Sequence, residues 1–369
     1  MDSCSGIGRC VPRTTQSYGV LLIPAVFLLL LCVWIVIPPF NGLTIGLAVG
    51  SIELSVYMLA LNVLLFGATL LRRGRQDVAA EVVLAANCII CSLPSLALAG
   101  ASLDRTALYR NVNVPITERA ISVTLGREHG QIQAYLPVAS RRTPAIFAVY
   151  GGAWRNGTPH YDAALNRGLA HQGYAVFALD YRHAPKYRFP AALDDVRSEA
   201  TFIRKNAARY NINPSATGML GHSSGGELAA LVAFDSRSAA RALISYSGAI
   251  DLSMGWKYPP VPDPIGIRAV IEGYIGDIPA RAPDRYRAAS LLGHVRRGLP
   301  PVLLIYGTRD HVVDIRYAWK FRDALRAVGT RVTFVQLPWT EHAFEAVPFG
   351  LHAPVAYRAT LNFLASTLR

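Results

Sequence analysis

Cysteine is missing from most of the chain: five cysteines are present, and none lies beyond residue 91. The part of the chain after residue 103 can therefore form no disulfide, and its cysteine content does not indicate a redox compartment. In the N-terminal part, Cys88 and Cys91 form a CIIC motif inside an apolar stretch, without a second pair of ligands. A zinc or redox site is therefore not expected there.

Charge is scarce in the first 103 residues, which carry five arginines against four acidic residues. Three long apolar stretches fill most of this region, at 19–40, 43–71 and 79–101. The first two are too long for buried helices of a soluble core, and a span of about 20 apolar residues crosses a bilayer. A cleaved signal peptide would account for the first stretch only. We predict a membrane region over 1–103 with about three spanning helices.

Glu53 is the single ionisable residue of the second stretch. A carboxylate in the middle of a bilayer costs about 2.5–3.5 kcal/mol on insertion scales. We therefore expect Glu53 to face another helix or to lie near the membrane interface.

The orientation of the spans follows from the arginines. Arg72, Arg73 and Arg75 lie between the second and third stretches, whereas the first connection is uncharged. The positive-inside rule places these arginines in the cytoplasm, and Arg9 and Arg13 then lie on the same side. Three crossings leave the chain after residue 104 outside the cytoplasm.

Long runs of lysine or arginine and nucleic-acid-binding motifs are absent, although the formal net charge is +13. Residues 1–103 account for +1 of this charge, so the rest of the chain carries +12. A basic domain next to a bilayer can be attracted to anionic head groups, but a diffuse solvated surface is favoured here. The sequence predicts no nucleic-acid partner and does not indicate an oligomeric state.

From residue 104 to residue 369, short β-branched runs alternate with helical patterns. The predicted strands cover 120–125, 131–137, 144–152, 174–181, 241–250, 300–310 and 331–338, and the predicted helices cover 193–210, 316–329 and 355–368. This alternation predicts one α/β domain with a mostly parallel sheet. Residues 251–290, rich in proline, glycine and tyrosine, interrupt the pattern and are a candidate lid.

The stretch ATGMLGHSSGGELAALVAF (216–234) passes from a short predicted strand through glycines into a predicted helix, and it contains a G-x-S-x-G motif between the two. Such a turn exposes a nucleophilic serine above a sheet and brings the residues two before and two after it close together. For Ser223 these residues are Gly221 and Gly225, whereas for Ser224 one of them is the bulky His222. Ser223 is therefore the predicted nucleophile, and Ser224 is expected to offer its backbone N–H.

A serine hydroxyl needs a base, and the base needs an orienting carboxylate. Asp310 follows a predicted strand, and His342 follows the next one, so the chain order is Ser, Asp, His. Asp314 and Glu341 are weaker candidates for the acid, since the former is expected to open a helix and the latter adjoins His342. His311 and His222 lie near the predicted triad where a base is not expected.

Hydrolysis through an acyl-enzyme also needs donors for an oxyanion. The stretch VYGGAW (149–154) ends a predicted strand where half of such a hole is made. We predict that the N–H groups of Gly152, Ala153 and Ser224 form it, against the alternative of a simple Gly-Gly turn.

With these residues in place, residues 120–369 resemble the α/β-hydrolase superfamily, in particular the hormone-sensitive-lipase and feruloyl-esterase-like carboxylesterases. The resemblance is carried by YGGAW, YRHAPKYRFPAALDDV (181–196), GHSSGG, GTRD and HAF. It implies an α/β-hydrolase fold, and a structural role for Asp194 and Asp195 at the start of a helix. Tyr150 stands where the family has a histidine, which puts the geometry of the oxyanion loop and the substrate preference in doubt.

These features predict a membrane-anchored serine hydrolase of carboxylic esters, without a metal or organic cofactor, that acts on a small-molecule or lipid ester. Within enzymes, an amidase, peptidase or acyltransferase would use the same triad. From another class, a catalytically idle membrane module could use the fold to bind a partner or lipid.

Overall fold

The computed structural model describes residues 21–71, 78–103 and 109–368. The arginines on which the predicted orientation depends, Arg9, Arg13, Arg72, Arg73 and Arg75, lie outside the described residues. The orientation therefore stays a prediction.

In the described part of the chain, four apolar helices precede the sheet. They are α1 (Leu22–Cys32), α2 (Gly42–Glu53), α3 (Ser55–Leu71) and α4 (Val78–Ala99), and a short 3-10 turn (Val33–Ile35) extends α1. By length and composition α4 could cross a membrane, and α2 with α3 passes the same test as a pair bent by 68°. The described residues thus offer one helix of spanning length, or two if the bent pair is one span.

The sequence predicted about three spanning helices, and the described residues support only the third, at 79–101, as a single helix of spanning length. Over 19–40, helix α1 and its 3-10 turn are shorter than the ~30 Å bilayer core requires, and Pro38 and Pro39 follow. Residues 19 and 20 lie outside the described part. Over 43–71, the helix breaks at Leu54, directly after Glu53.

An eight-stranded sheet forms the centre of the C-terminal part. Its strands are β1 (Ile116–Leu125), β2 (Glu128–Pro137), β3 (Thr143–Val149), β4 (Ala175–Leu179), β5 (Ile212–His222), β6 (Ala240–Tyr246), β7 (Val302–Gly307) and β8 (Val332–Leu337). They lie in the order β1-β2-β4-β3-β5-β6-β7-β8, and all pairs are parallel except β1 with β2 and β2 with β4. The predicted α/β-hydrolase fold with a mostly parallel sheet is confirmed.

Helices cover both faces of this sheet. They are α5 (Ala163–His171), α6 (Ala191–Lys205), α7 (Ser224–Phe234), α8 (Leu252–Lys257), α9 (Ile267–Ile275), α10 (Pro283–Ala289), α11 (Ile315–Ala327) and α12 (Ala353–Thr367). Successive side chains of a strand point to opposite faces. In β3, Phe147 and Val149 join the core beneath α6, α7 and α11, whereas Ile146 and Ala148 join the core beneath α5 and α12.

The parallel order positions the candidate site. Strands β5, β7 and β8 run in the same direction, so their carboxyl ends meet at one edge of the sheet. Ser223, Asp310 and His342 each lie in the connection that follows one of these strands. In an open α/β sheet this edge is where ligands bind.

Candidate active site

Ser223 occupies a sharp turn between β5 and α7. Its backbone has φ +50° and ψ −121°, a strained conformation for a residue with a side chain. A Cβ atom at Gly221 would lie 2.2 Å from the carbonyl oxygen of Gly225, and one at Gly225 would lie 2.2 Å from that of Val149. Only glycine fits at either position, which agrees with the sequence argument that selected Ser223 over Ser224.

His342 and Asp310 complete a chain of hydrogen bonds that begins at Ser223. The Nε2 atom of His342 lies 2.9 Å from the Oγ atom of Ser223, and its Nδ1 atom lies 2.8 Å from Oδ2 of Asp310. The other carboxylate oxygen of Asp310 accepts hydrogen bonds from the N–H groups of Val312 and Val313. The structure thus brings the three predicted residues together, with the Asp310 side chain fully buried.

The electrostatics of this chain favour a positive charge on His342. Burial acts to lower the pKa of His342, but the charge and hydrogen bond of Asp310, aided by Glu345 and Glu341, outweigh it and raise the pKa to about 9. A nearby carboxylate is expected to stabilise the imidazolium in this way. The arrangement can therefore take up a proton from the serine hydroxyl.

Glu341 and Asp314, the alternative acids, have other partners. Glu341 accepts hydrogen bonds from the backbone N–H and the ring Nδ1 of His311, at 2.8 and 2.5 Å, and from the N–H of His342 at 2.9 Å. It therefore links the loop of Asp310 to the loop of His342. Asp314 caps α11 by accepting from the N–H of Arg316 at 2.8 Å, as the sequence predicted.

A second histidine lies directly behind the predicted nucleophile. His222 is buried, and its Nδ1 atom lies 2.9 Å from Oε1 of Glu345, three residues after His342. Burial alone would lower the pKa of His222, but the charges of Asp162 and Glu345 and the hydrogen bond with Glu345 raise it. This pair connects the turn of Ser223 to the segment that follows His342, so His222 serves the geometry of the site.

The predicted oxyanion donors lie where the turn after β3 approaches Ser223. Gly152 has φ +142° and Ala153 has φ +54°, and a Cβ atom at Gly151 would lie 3.1 Å from Cβ of Ser223. Ser224 is the first residue of α7, so its N–H has no partner within the helix. In the described part of the chain, no group accepts a hydrogen bond from the N–H of Gly152, Ala153 or Ser224.

Tyr150 ties this turn to the end of β4. Its hydroxyl donates a 2.9 Å hydrogen bond to Oδ1 of Asp180 and lies 3.0 Å from Nε2 of His183. Its ring stacks on Tyr181 with 4.4 Å between centroids, and the Tyr181 hydroxyl donates back to the Tyr150 carbonyl. The residue that departs from the family pattern is therefore a buried support of the predicted oxyanion loop.

Sequence reasoning missed Glu227, which lies in the first turn of α7 and is completely buried. One of its oxygens accepts from Nε1 of Trp154 at 3.1 Å, and the hydroxyl of Tyr274 donates to it at 3.3 Å. The rings of Trp154 and Tyr274 stack at 4.3 Å. Burial raises the pKa of Glu227 to about 8. A charged residue inside the apolar helix pattern SGGELAALVAF was the available signal.

Asp194 and Asp195 have structural partners. Asp195 is buried and accepts hydrogen bonds from Nε, Nη2 and the backbone N–H of Arg182, and Asp194 forms an exposed ion pair with Arg197 at 2.8 Å. Among the described residues, no group of three or more histidine, cysteine or acidic side chains could hold a metal ion.

A narrow apolar pocket opens beside Ser223, with a free volume of about 50 Å³. Its walls include Trp154, Leu252, Ile267, Ile271, Val313 and Tyr317. Helices α8 and α9, which contribute several of these walls, belong to the interruption at 251–290. They cover the site in the structure, and their opening and closing as a lid stays a prediction.

A sequence model of the BD-FAE family matches residues 132–325, a range that contains Ser223 and Asp310 and ends before His342. Esterase LipC of Mycobacterium tuberculosis is 30% identical over 239 residues (60% of this chain, 58% of LipC), and the probable carboxylic ester hydrolase LipM of the same organism is 28% identical over 238 residues (60% of this chain, 54% of LipM). This chain thus spans little more than half the length of these relatives.

Among solved structures, a hyperthermophilic esterase from the archaeon Pyrobaculum calidifontis has a similar fold. It superposes with a TM-score of 0.61 at 23% identity and covers 69% of this chain and 87% of its own. At that identity the likeness concerns the fold alone.

Proposed function

The chain belongs to the BD-FAE family of α/β-hydrolases, and on that premise we propose that it hydrolyses carboxylic esters. Ser223 is the nucleophile, His342 is the general base and acid, and Asp310 orients His342. The observation that carries the proposal is the unbroken hydrogen-bonded chain from Oγ of Ser223 through His342 to Asp310. The similarity to LipC and LipM, an esterase and a probable carboxylic ester hydrolase, supports the same reaction class.

In the first half of the reaction, Nε2 of His342 accepts the hydroxyl proton while Oγ of Ser223 attacks the ester carbonyl. The negative oxygen that forms is held by the N–H groups of Gly152, Ala153 and Ser224. Loss of one such donor typically costs about 10²–10³ in turnover. When the intermediate collapses, His342 gives its proton to the departing alcohol, and the acyl group remains on Ser223.

In the second half, water replaces the alcohol. His342 takes a proton from the water, the hydroxide attacks the acyl-enzyme, and the same N–H groups hold the second oxyanion. The acid leaves and Ser223 recovers its proton. Asp310 keeps Nδ1 of His342 protonated throughout, so that Nε2 is free to accept a proton in each half.

The pocket beside Ser223 supports a short substrate group. One water-sized group needs about 10–15 Å³ on this measure of volume, so about 50 Å³ accommodates a chain of a few carbons. We expect kcat/KM of the purified full chain to be highest for p-nitrophenyl esters with short acyl chains and to fall as the chain lengthens. Absence of hydrolysis across the whole series would refute the proposed activity.

We also propose that the N-terminal helices anchor the chain in a bilayer and that the hydrolase domain lies outside the cytoplasm. Large apolar side chains are exposed on these helices, among them Leu43 at 74%, Leu64 at 72% and Leu71 at 85%. Only 22% of the apolar window of α4 is buried within the structure. Exposed apolar surface of this extent is typical of a membrane contact.

The anchor and its orientation can be tested with one engineered thiol. The hydrolase domain contains no cysteine, so Ser236→Cys at an exposed position introduces a single reporter there, and the unmodified chain is the control. We expect the protein to stay in the membrane pellet after alkaline washing and the reporter to react with an impermeant maleimide from outside intact cells. Labelling only after the cells are opened would overturn the orientation, and release by the wash would overturn the anchor.

A further inference from the structure

Hydrogen bonds join the N-terminal helices to the connections that carry Asp310 and His342. Nε1 of Trp339 donates to the carbonyl of Ile35 at 3.0 Å, and a guanidinium nitrogen of Arg309 donates to the carbonyl of Val36 at 2.9 Å. The guanidinium of Arg309 also lies over the Trp339 ring, 5.0 Å from its centroid. The apolar region is therefore docked directly beside two of the predicted triad residues.

Glu53 makes the most extensive of these contacts. Its Oε1 atom lies 2.7 Å from Nδ1 of His352, its Oε2 atom accepts from the N–H of His352 at 2.8 Å, and its carbonyl accepts from the N–H of Leu351 at 3.0 Å. The side chains of Glu53 and His352 are both fully buried. A buried carboxylate is tolerated only when it is paired and hydrogen-bonded, and here its partners come from the hydrolase domain.

The local backbone is built for this approach. The helix of the second apolar stretch breaks directly after Glu53, with 68° between α2 and α3. On the other side, a Cβ atom at Gly350 would lie 2.5 Å from Oε2 and 2.7 Å from Cβ of Glu53. A side chain at position 350 would therefore push the two parts of the chain apart.

His352 ends the segment that begins at His342. Within this segment Glu345 binds His222 behind the nucleophile, and at its start Glu341 binds His311 on the loop of Asp310. At its far end His352 precedes α12, whose position is fixed by packing on the sheet. The segment thus has anchors from the hydrolase domain near His342. From the N-terminal helices it receives the buried contact of Glu53 and a longer, exposed hydrogen bond of 3.4 Å from the Tyr57 hydroxyl to the carbonyl of Phe349.

We propose that Glu53 is a positioning residue for His342: by binding His352, the N-terminal helices fix the segment that carries the general base. This inference rests on the proposed ester hydrolysis. It assigns the N-terminal region a direct part in turnover, in addition to any role as an anchor. A small displacement of a base from its productive geometry lowers turnover without a matching loss of substrate affinity.

The test uses the full chain in detergent micelles and the variant Glu53→Gln, which keeps the shape of the side chain but can accept only with one oxygen. We expect kcat per active site to fall between about 10- and 100-fold, with KM changed less than about twofold. Active sites are counted by covalent labelling with a fluorophosphonate. The matched control is Glu81→Gln in the first turn of α4, which makes no hydrogen bond to the hydrolase domain among the described residues and should keep the wild-type kcat.

Gly350→Ala approaches the same contact from the hydrolase domain and should give the same loss of kcat. If Glu53→Gln cannot be recovered as folded protein, the kcat of Gly350→Ala tests the inference by itself. A wild-type kcat per labelled site in either variant, even with a lower thermal stability or fewer active sites, would overturn the inference and leave only a structural role for Glu53. The unmodified chain distinguishes this outcome from failure of the proposed function. If the proposed function is wrong, the unmodified chain hydrolyses no ester.

Discussion

The carboxylate of Glu341 accepts hydrogen bonds from both the backbone N–H and the ring Nδ1 of His311, which adjoins Asp310. Because Glu341 also adjoins His342, this contact holds the proposed base and its proposed orienting acid at a fixed separation. A residue rejected as the acid on sequence grounds therefore has a supporting part in the site.

Replacement of Glu341 by glutamine is expected to lower kcat about tenfold, with little change in KM, because the amide cannot accept both hydrogen bonds. The free energy of unfolding should fall by about 1–3 kcal/mol, since one buried N–H donor loses its partner. Ester hydrolysis and urea unfolding measure the two effects. Asp284→Asn, at an exposed ion pair with Arg287, is the control and should change neither. An unchanged kcat in Glu341→Gln would show that the loops keep their positions without this contact.

The two aspartates near the site should respond very differently to the same substitution. Asp310→Asn is expected to reduce kcat by several orders of magnitude, as removal of a triad carboxylate does in other serine hydrolases. Asp314→Asn keeps a side-chain oxygen that can cap α11 and loses only the exposed ion pair with Arg316, so it should cost less than about 1 kcal/mol of stability with kcat nearly unchanged. Steady-state kinetics of both variants measure the difference. Comparable losses of kcat would contradict the assignment of Asp310 as the orienting acid.

The pH dependence of hydrolysis should reflect the raised pKa of His342. The base acts only when neutral, and its pKa lies near 9, so kcat/KM should rise with pH through neutrality, about tenfold for each unit below the pKa. In Asp310→Asn the attraction of the carboxylate is lost, whereas burial still acts to lower the pKa of His342. The rise of kcat/KM with pH should therefore occur at lower pH in this variant. If the kcat/KM profile of the wild type gave an apparent pKa at or below the ordinary histidine value of about 6.5, this account would be contradicted.

Glu227 should make the protein less stable as the pH rises. Its carboxyl has a pKa of about 8 in the folded protein and about 4.5 when exposed, so the folded state binds more protons between these values. Stability is therefore full below the lower value and is lost as pH rises through the higher one. Glu227→Gln, which is neutral at every pH, should resemble wild type near pH 4 and unfold at a higher temperature than wild type near pH 9. Thermal unfolding at the two pH values measures this, and equal pH dependence in both proteins would refute it.

Tyr150→Phe tests the contribution of the Tyr150 hydroxyl separately from that of its ring. The ring keeps its stacking on Tyr181, but the hydrogen bond to Asp180 is lost and the oxyanion turn becomes less well fixed. We expect kcat to fall about tenfold, with a loss of about 1 kcal/mol in stability. Tyr161→Phe, at an exposed tyrosine near the same ring, is the matched control. Full activity in Tyr150→Phe would show that stacking alone supports the turn.

The sequence was sufficient for the parts of the site that depend on local pattern. Ser223 follows from glycine spacing, and Asp310 and His342 follow from chain order and from their places after predicted strands. Each of these three residues lies in the connection that follows one strand, and the end of that strand fixes its position. Because parallel strands end at a common edge, these local predictions place three residues at one edge of the sheet, and the structure brings them within hydrogen-bond distance of one another.

The supporting contacts could not be predicted in the same way, because their partners are remote in sequence. Glu227 lies 73 positions from Trp154, Glu345 lies 123 positions from His222, and Glu53 lies 299 positions from His352. The hydrophobic periodicity of the sequence does not predict which buried carboxylate accepts a hydrogen bond from which donor. The break at Leu54 was missed for the same reason, since an apolar run predicts a continuous helix and the contact that interrupts it comes from the other end of the chain.

The most direct test of the central claim is the rate of ester hydrolysis by Ser223→Ala beside that of Ser224→Ala, in the full chain with a short-chain p-nitrophenyl ester. In the proposed mechanism Ser223 supplies the attacking oxygen and Ser224 only its backbone N–H. We therefore expect hydrolysis to fall at least about 10³-fold in the first variant and to stay within about tenfold of wild type in the second. Hydrolysis by Ser223→Ala at the wild-type rate would contradict the account.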